Sequence, residues 1–129
     1  MKPREFVLSN GTKIFLGKNS ENNDELVNSF KRKENTILHT VAPGSPFCVI
    51  EKLNPSKDEI YDAGIFCAIK SQDWRDNKRD IKLHVFTGQN VKKSFWMKSG
   101  SWKLKSNPEE ILIKKKDILK LGNSDKSKR

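Results

Sequence analysis

The dipeptide Asn10-Gly11, set between the apolar segments Phe6-Val7-Leu8-Ser9 and Thr12-Lys13-Ile14-Phe15-Leu16, constrains the start of this chain more than any other feature. Asn-Gly suits the two positive-φ positions of a type I′ turn, so the pattern predicts a tight antiparallel hairpin. The polar stretch after Gly17-Lys18-Asn19-Ser20 predicts a short helix capped by Asn22 or Asn23. Leu26, Val27 and Phe30 share one face of that helix, and Lys31-Arg32-Lys33 follows where cations complement a helix C-terminus.

Residues 36–41 and 47–51 read as strands, separated by Ala42-Pro43-Gly44-Ser45-Pro46, where two prolines and a glycine forbid regular structure. Ser56-Lys57-Asp58-Glu59 has the form of a capping box behind Pro55 and predicts a helix over about residues 57–72. Ile60, Ala63, Gly64, Cys67 and Ala68 are placed to face a sheet. Residues 81–86 alternate apolar and polar as a half-buried strand does, and residues 101–105 repeat the pattern across a loop or ribbon. Ile111-Leu112-Ile113 reads as a last strand or docking segment.

Strands outnumber helices, with one helix-length break between strand groups. That order predicts a single α+β domain with a curved, mainly antiparallel sheet and two helices. The domain is expected over residues 1–121, with 122–129 a disordered basic tail that has nothing to bury. A chain of 129 residues is long enough for one working core and too short for a second full domain.

The formal net charge is +10, and it is unevenly placed along the chain. Residues 1–80 carry 13 Lys/Arg against 12 Asp/Glu, whereas residues 81–129 carry 13 against 4. Such a field attracts polyanions, so nucleic acid, an acidic membrane surface or an acidic protein are the partner classes it admits. The chain has no apolar run of roughly the 20 residues a bilayer crossing needs and no signal-peptide pattern, which predicts a cytoplasmic protein without a membrane partner. Cys48 and Cys67 lack CxxC spacing and a nearby histidine, so two reduced core thiols are expected, with no metal and no cofactor.

Between Ile81 and Pro108 there is no acidic residue, while six lysines, among them Lys92, Lys93 and Lys98, are interleaved with Phe86, Phe95, Trp96 and Trp102. Lysines neutralise phosphates, and exposed rings stack on unpaired bases for roughly 1–3 kcal/mol each. The strand pattern assigns Phe86 and Trp102 to packing and leaves residues 91–100 as the contact element. Gly17-Lys18 followed by Asn22-Asn23-Asp24 has the polar character of a phosphate cradle, without the spacing of a P-loop. His39, just before the Pro43-Gly44-Ser45 turn, reads either as a structural strand histidine or as a phosphate or proton-transfer partner. No complete nucleophile and base arrangement is visible, which predicts a non-catalytic protein.

Gly17-Lys18-Asn19 with Asn23-Asp24, then Leu38-His39 before Pro43-Gly44-Ser45, then Val91-Lys92-Lys93 with Lys98 and Gly100, resemble in order and spacing the NFACT-R domain. The helix ending Ala68-Ile69-Lys70-Ser71 and Arg75 after it belong to the same match, which covers roughly residues 4–119. Three positions depart from the family pattern: Ile37 stands where an aromatic is favoured, Pro46 where a histidine often follows the turn, and Trp96 where a glycine is usual. The resemblance implies an RNA-binding module, found alone and at the C-terminal side of ribosome quality-control factors that bind the large ribosomal subunit and transfer RNA. This chain resembles the stand-alone form, so the tailing activity of those factors is not implied.

The expected function is therefore binding of structured RNA, ribosomal or transfer, in translation or ribosome-associated quality control. Lys92, Lys93 and Lys98 are expected on phosphates, Trp96 on a base, and Lys18 and His39 at the border of the surface. Two alternatives stay open at this level: a module that docks on a ribosomal or RNA-processing protein, and an auxiliary factor or enzyme of RNA modification acting through His39 and Ser45. A small-molecule ligand cannot be read from the sequence.

Overall fold

The computed structural model describes residues 2–92 and 103–127. Its main sheet has six strands in the order β1-β2-β4-β3-β5-β8, all paired antiparallel. The strands are β1 (Arg4–Val7), β2 (Lys13–Leu16), β3 (Thr36–Thr40), β4 (Cys48–Ile50), β5 (Ile81–Thr87) and β8 (Glu109–Ile113). A short ribbon, β6 (Val91–Lys92) with β7 (Lys103–Leu104), stands apart from it. The α+β class and the antiparallel sheet agree with the sequence expectation, but among the described residues there are four helices rather than two: α1 (Ser20–Phe30), α2 (Lys57–Ile69), α3 (Gln72–Asn77) and α4 (Lys115–Ser127).

The N-terminal hairpin forms, with a different turn. Leu8 N–H donates to Thr12 O at 2.8 Å and Gly11 N–H donates to Leu8 O at 2.9 Å, so the loop is three residues long with Gly11 at φ 92°. Asn10 is not at positive φ. Its side chain has other work: Oδ1 accepts from Thr12 N–H, and Nδ2 donates to Glu59 at 3.0 Å. Glu59 closes the predicted capping box with Ser56 and also accepts from Thr12 Oγ1 and Lys52 Nζ. The backbone N–H of Ser56, then Thr12 and Asn10, hold its carboxyl well below its ordinary 4.5. The hairpin tip is thereby tied to the start of α2 through the Glu59 carboxylate.

Strand alternation sorts the apolar side chains onto the two faces of the sheet. Ile14, Leu16, Leu38, Cys48, Ile50, Ile81, Leu83 and Ile113 pack with Ala63, Cys67 and Ala68 of α2 and Ile118 of α4. On the other face Ile37, Val49 and Phe86 pack with Leu26 and Val27 of α1 and with Val91 at the root of the ribbon. Both cysteines are free and buried, as expected, and burial pushes the Cys67 thiol up to about 12. Among the described residues no helix is long and apolar enough to cross a membrane.

The helix bounds differ from the periodicity reading. Asn19, not Asn22 or Asn23, caps α1, its Oδ1 accepting from Asn22 N–H at 2.8 Å, while Asn22 and Asn23 are buried inside the helix. The cations after α1 do not sit in its last turn; Arg32 takes φ 71° and donates its N–H to Gly88 O. The helix expected to run to residue 72 stops at Ile69 because Ser71 donates to Ala68 O at 2.6 Å and caps α3 by accepting from Trp74 N–H. The tail expected to be unstructured from residue 122 instead continues α4 to Ser127. Ile118 is buried and Leu121 half-buried three residues on, so this helix has an apolar stripe that docks on α2.

Candidate nucleic-acid interface

At one end of the sheet, the paired row Arg4, Leu16 and Cys48 runs from β1 across β2 to β4. That register sets Arg4 beside the loop that follows Leu16 and the turn that precedes Cys48. The loop begins with Gly17, whose N–H donates to Phe47 O at 3.1 Å. Asn23 reaches back over Gly17 and accepts at Oδ1 from Phe47 N–H at 3.0 Å. A Cβ on Gly17 would lie 1.8 Å from that oxygen, so the glycine is what lets Asn23 latch the two segments together.

A second latch joins the turn to the helices. Gln72 N–H, at the start of α3, donates to Gly44 O at 2.7 Å. Ser45 Oγ accepts from Thr40 N–H at 3.1 Å and anchors the turn to β3. Three segments far apart in sequence thus meet around an open cleft of about 310 Å³. Among the described residues its cations are Arg4, Lys18, Lys70 and Arg75, and no acidic residue lines it.

These four cations come from four elements: the first residue of β1, the loop before α1, the C-cap of α2 and the body of α3. Among the described residues none of them forms an ion pair, in contrast to Lys52 with Glu59 and Arg79 with Asp73. Arg75 is positioned by neutral acceptors, donating to Lys70 O at 3.0 Å and to Gln72 Oε1 at 2.9 Å, which leaves other guanidinium N–H groups for a ligand. The first N–H groups of α1, at Ser20 and Glu21, have no intrahelical acceptor and add their partial positive charge at the same place.

The cradle expected at Gly17-Lys18 is therefore present, but Asn22 and Asn23 are its framework rather than its lining: Asn22 Oδ1 accepts from Lys18 N–H at 2.9 Å. Lys18 is a site residue by this geometry. Arg4, Lys70 and Arg75 were not among the expected contacts. Lys70 and Arg75 carried a signal in the ordered motif match; Arg4 carried none, because only strand pairing brings it to the cleft.

His39 does not line the cleft. Its ring stacks on Phe47 at 4.2 Å, and Phe47 meets Phe86 edge-on at 6.5 Å. Burial, with a smaller push from the cross-strand neighbour His84, takes the imidazole from 6.5 down to about 4 against hydrogen bonds to the backbone of Thr40 and Ser45. His39 is thus neutral at physiological pH and buttresses the turn from behind. Because its folded value lies below its unfolded value, it stabilises the fold fully above pH 6.5, and that stability declines as pH falls toward 4. The shift corresponds to roughly 3 kcal/mol. Urea unfolding compared at pH 7 and pH 4.5 should show a much smaller pH dependence in His39→Gln than in the unsubstituted protein; an identical dependence would refute this.

The second basic element is the ribbon. Val91 is buried, with Leu104 packed alongside, and Asn90 bonds Ser106 through its side chain, so the ribbon root is anchored to the core. Lys92 lies opposite Lys103, both exposed. Like charges directly opposite each other are mutually destabilising and favour an anion between them. Lys93, Trp96 and Lys98, together with Phe95 and Trp102, lie outside the described residues.

The family model for the NFACT protein RNA binding domain matches residues 2–106 of this chain. Among solved structures, the chain is similar to the C-terminal of the fibronectin/fibrinogen-binding protein from Streptococcus suis, with a TM-score of 0.80 and 23% identity. The match covers 93% of this chain and 48% of that one, so this chain spans about half the length of its structural neighbour. No curated protein matches it.

Proposed function

This chain belongs to the NFACT RNA-binding-domain family, and from that premise we propose that it binds structured RNA, ribosomal or transfer, through two basic elements, the cleft and the ribbon. The carrying observation is the convergence of Arg4, Lys18, Lys70 and Arg75, unpaired among the described residues, on an acid-free cleft framed by Gly17, Asn23 and Gly44. Phosphates are the ligand such a field recognises, and the ribbon lysines offer a second contact of the same kind.

A binding role rather than a catalytic one is supported by the state of the two residues an enzyme would use. His39 is held neutral against Phe47 and away from the cleft, and Ser45 Oγ is engaged by Thr40 N–H and Pro46 O. The same reading places the protein in the cytoplasm, in translation or ribosome-associated quality control, with the large ribosomal subunit as its partner.

The test is a titration with transfer RNA and with fragments of large-subunit ribosomal RNA across a range of salt. Four phosphate contacts give a slope of about −3 in log affinity against log salt for single-stranded contacts, and more with the ribbon engaged. Affinity that ignores salt, or no affinity for either RNA, would remove this reading.

A further inference from the structure

Four cations around so small a space exceed what one internal linkage needs. A phosphodiester carries a single negative charge, whereas a terminal phosphomonoester carries about −1.5 to −2 near neutral pH and offers three strong acceptor oxygens. The cleft, at about 310 Å³, sits at the lower end of the size of small-ligand sites, about 300–1,000 Å³. That accommodates one phosphate with its sugar and not a run of stacked nucleotides.

The charges also converge from several sides instead of lying in a row. Arg4 enters from the sheet edge, Lys18 from the loop before α1, and Lys70 and Arg75 from the corner between α2 and α3. A surface that tracks a backbone distributes its cations along a groove. Arg75 is preorganised by Lys70 O and Gln72 Oε1, with free N–H groups for a forked contact to two phosphate oxygens.

We propose that the cleft is an end-recognition site, which takes the terminal phosphomonoester of an RNA strand. The inference rests on the RNA-binding reading and adds to it the part of the RNA that is read. Its chemistry is that of a phosphate dianion on ribose, which a free nucleotide shares, so the experiment separates the two sources.

One RNA sequence is prepared with unphosphorylated ends, with a 5′-phosphate and with a 3′-phosphate, and its affinity for the full chain is measured by fluorescence anisotropy. One phosphorylated form should bind at least about tenfold tighter than the unphosphorylated strand. In Lys70→Gln/Arg75→Gln the affinity for all three strands should fall and that difference should shrink to about twofold or less, with the melting temperature unchanged; a tenfold preference that survives in this variant overturns the cleft as the site of end recognition. Equal affinity for all three strands overturns end recognition and leaves RNA binding standing, whereas no binding of any strand overturns both. Competition by free nucleoside monophosphate as effective as by the phosphorylated strand overturns an RNA end as the ligand and assigns the cleft to a nucleotide.

Discussion

Reversing three charges at once, in Lys18→Glu/Lys70→Glu/Arg75→Glu, should weaken RNA binding by roughly two orders of magnitude and lower the log–log salt slope by about 2, since each single-stranded phosphate contact contributes about 0.7. The fold should hold. Lys18 and Arg75 are exposed and Lys70 is half-buried at a helix end, none in an ion pair among the described residues, and surface changes of this kind stay within about ±0.5 kcal/mol each. The measurement is anisotropy with transfer RNA beside a thermal melt of each variant. A matching reversal at Lys92, Lys93 and Lys98 reports on the ribbon, and the two losses together define the footprint. Wild-type affinity in the cleft variant, with a normal melt, would mean that RNA does not use the cleft.

The largest effect on stability should come from Gly88→Ala. Gly88 opens the turn between β5 and β6, its N–H donating to Asn35 O at 3.1 Å while its carbonyl accepts from Arg32 N–H at 2.9 Å. A Cβ there would lie 1.8 Å from Phe30 O and 2.8 Å from Lys33 O. Both obstacles are backbone, so no rotamer change relieves the contact; the end of α1 must move off the sheet and take Leu26 and Val27 with it. Overpacking commonly costs 1–3 kcal/mol, and this one should reach about 3 kcal/mol or more, a drop of about 10 °C in melting temperature. A melting temperature within a degree or two of the unsubstituted protein would contradict the packing of α1 described above. Gly17→Ala differs in kind, because its obstacle is the Asn23 side chain. That chain can swing away, and the cost falls on the latch to Phe47 rather than on the sheet.

Much of the architecture is legible in local pattern. The hairpin, the capping box at Ser56 and Glu59, the alternation in residues 81–86 and the apolar face of Leu26 and Val27 each depend on residues within a few positions of one another. At two places where the reading strayed, a nonlocal partner had taken the side chain. Asn10 serves Glu59, 49 residues away, and so leaves the two-residue turn that Asn-Gly favours. Asn23 serves Phe47, 24 residues away, and the cap passes to Asn19. Lys115 opens α4, a helix whose apolar stripe is visible only once α2 is there to receive it.

The sequence alone narrowed the partner to a polyanion and set the order of most elements, α3 and α4 excepted. Charge and periodicity are summed along the chain, and both survive without knowledge of the fold. What it left undecided was the place where the charge acts. Residues 1–80 are nearly neutral in total, and the basic excess lies after residue 80, so linear counting points to the ribbon. Folding separates what counting cancels. Glu59 turns to the hairpin tip with Lys52, and Asp73 pairs with Arg79, while Arg4, Lys18, Lys70 and Arg75 are brought to one acid-free cleft. That convergence depends on the register of β1 on β2 and on the bond from Gln72 to Gly44, long-range pairings that only the tertiary structure decides.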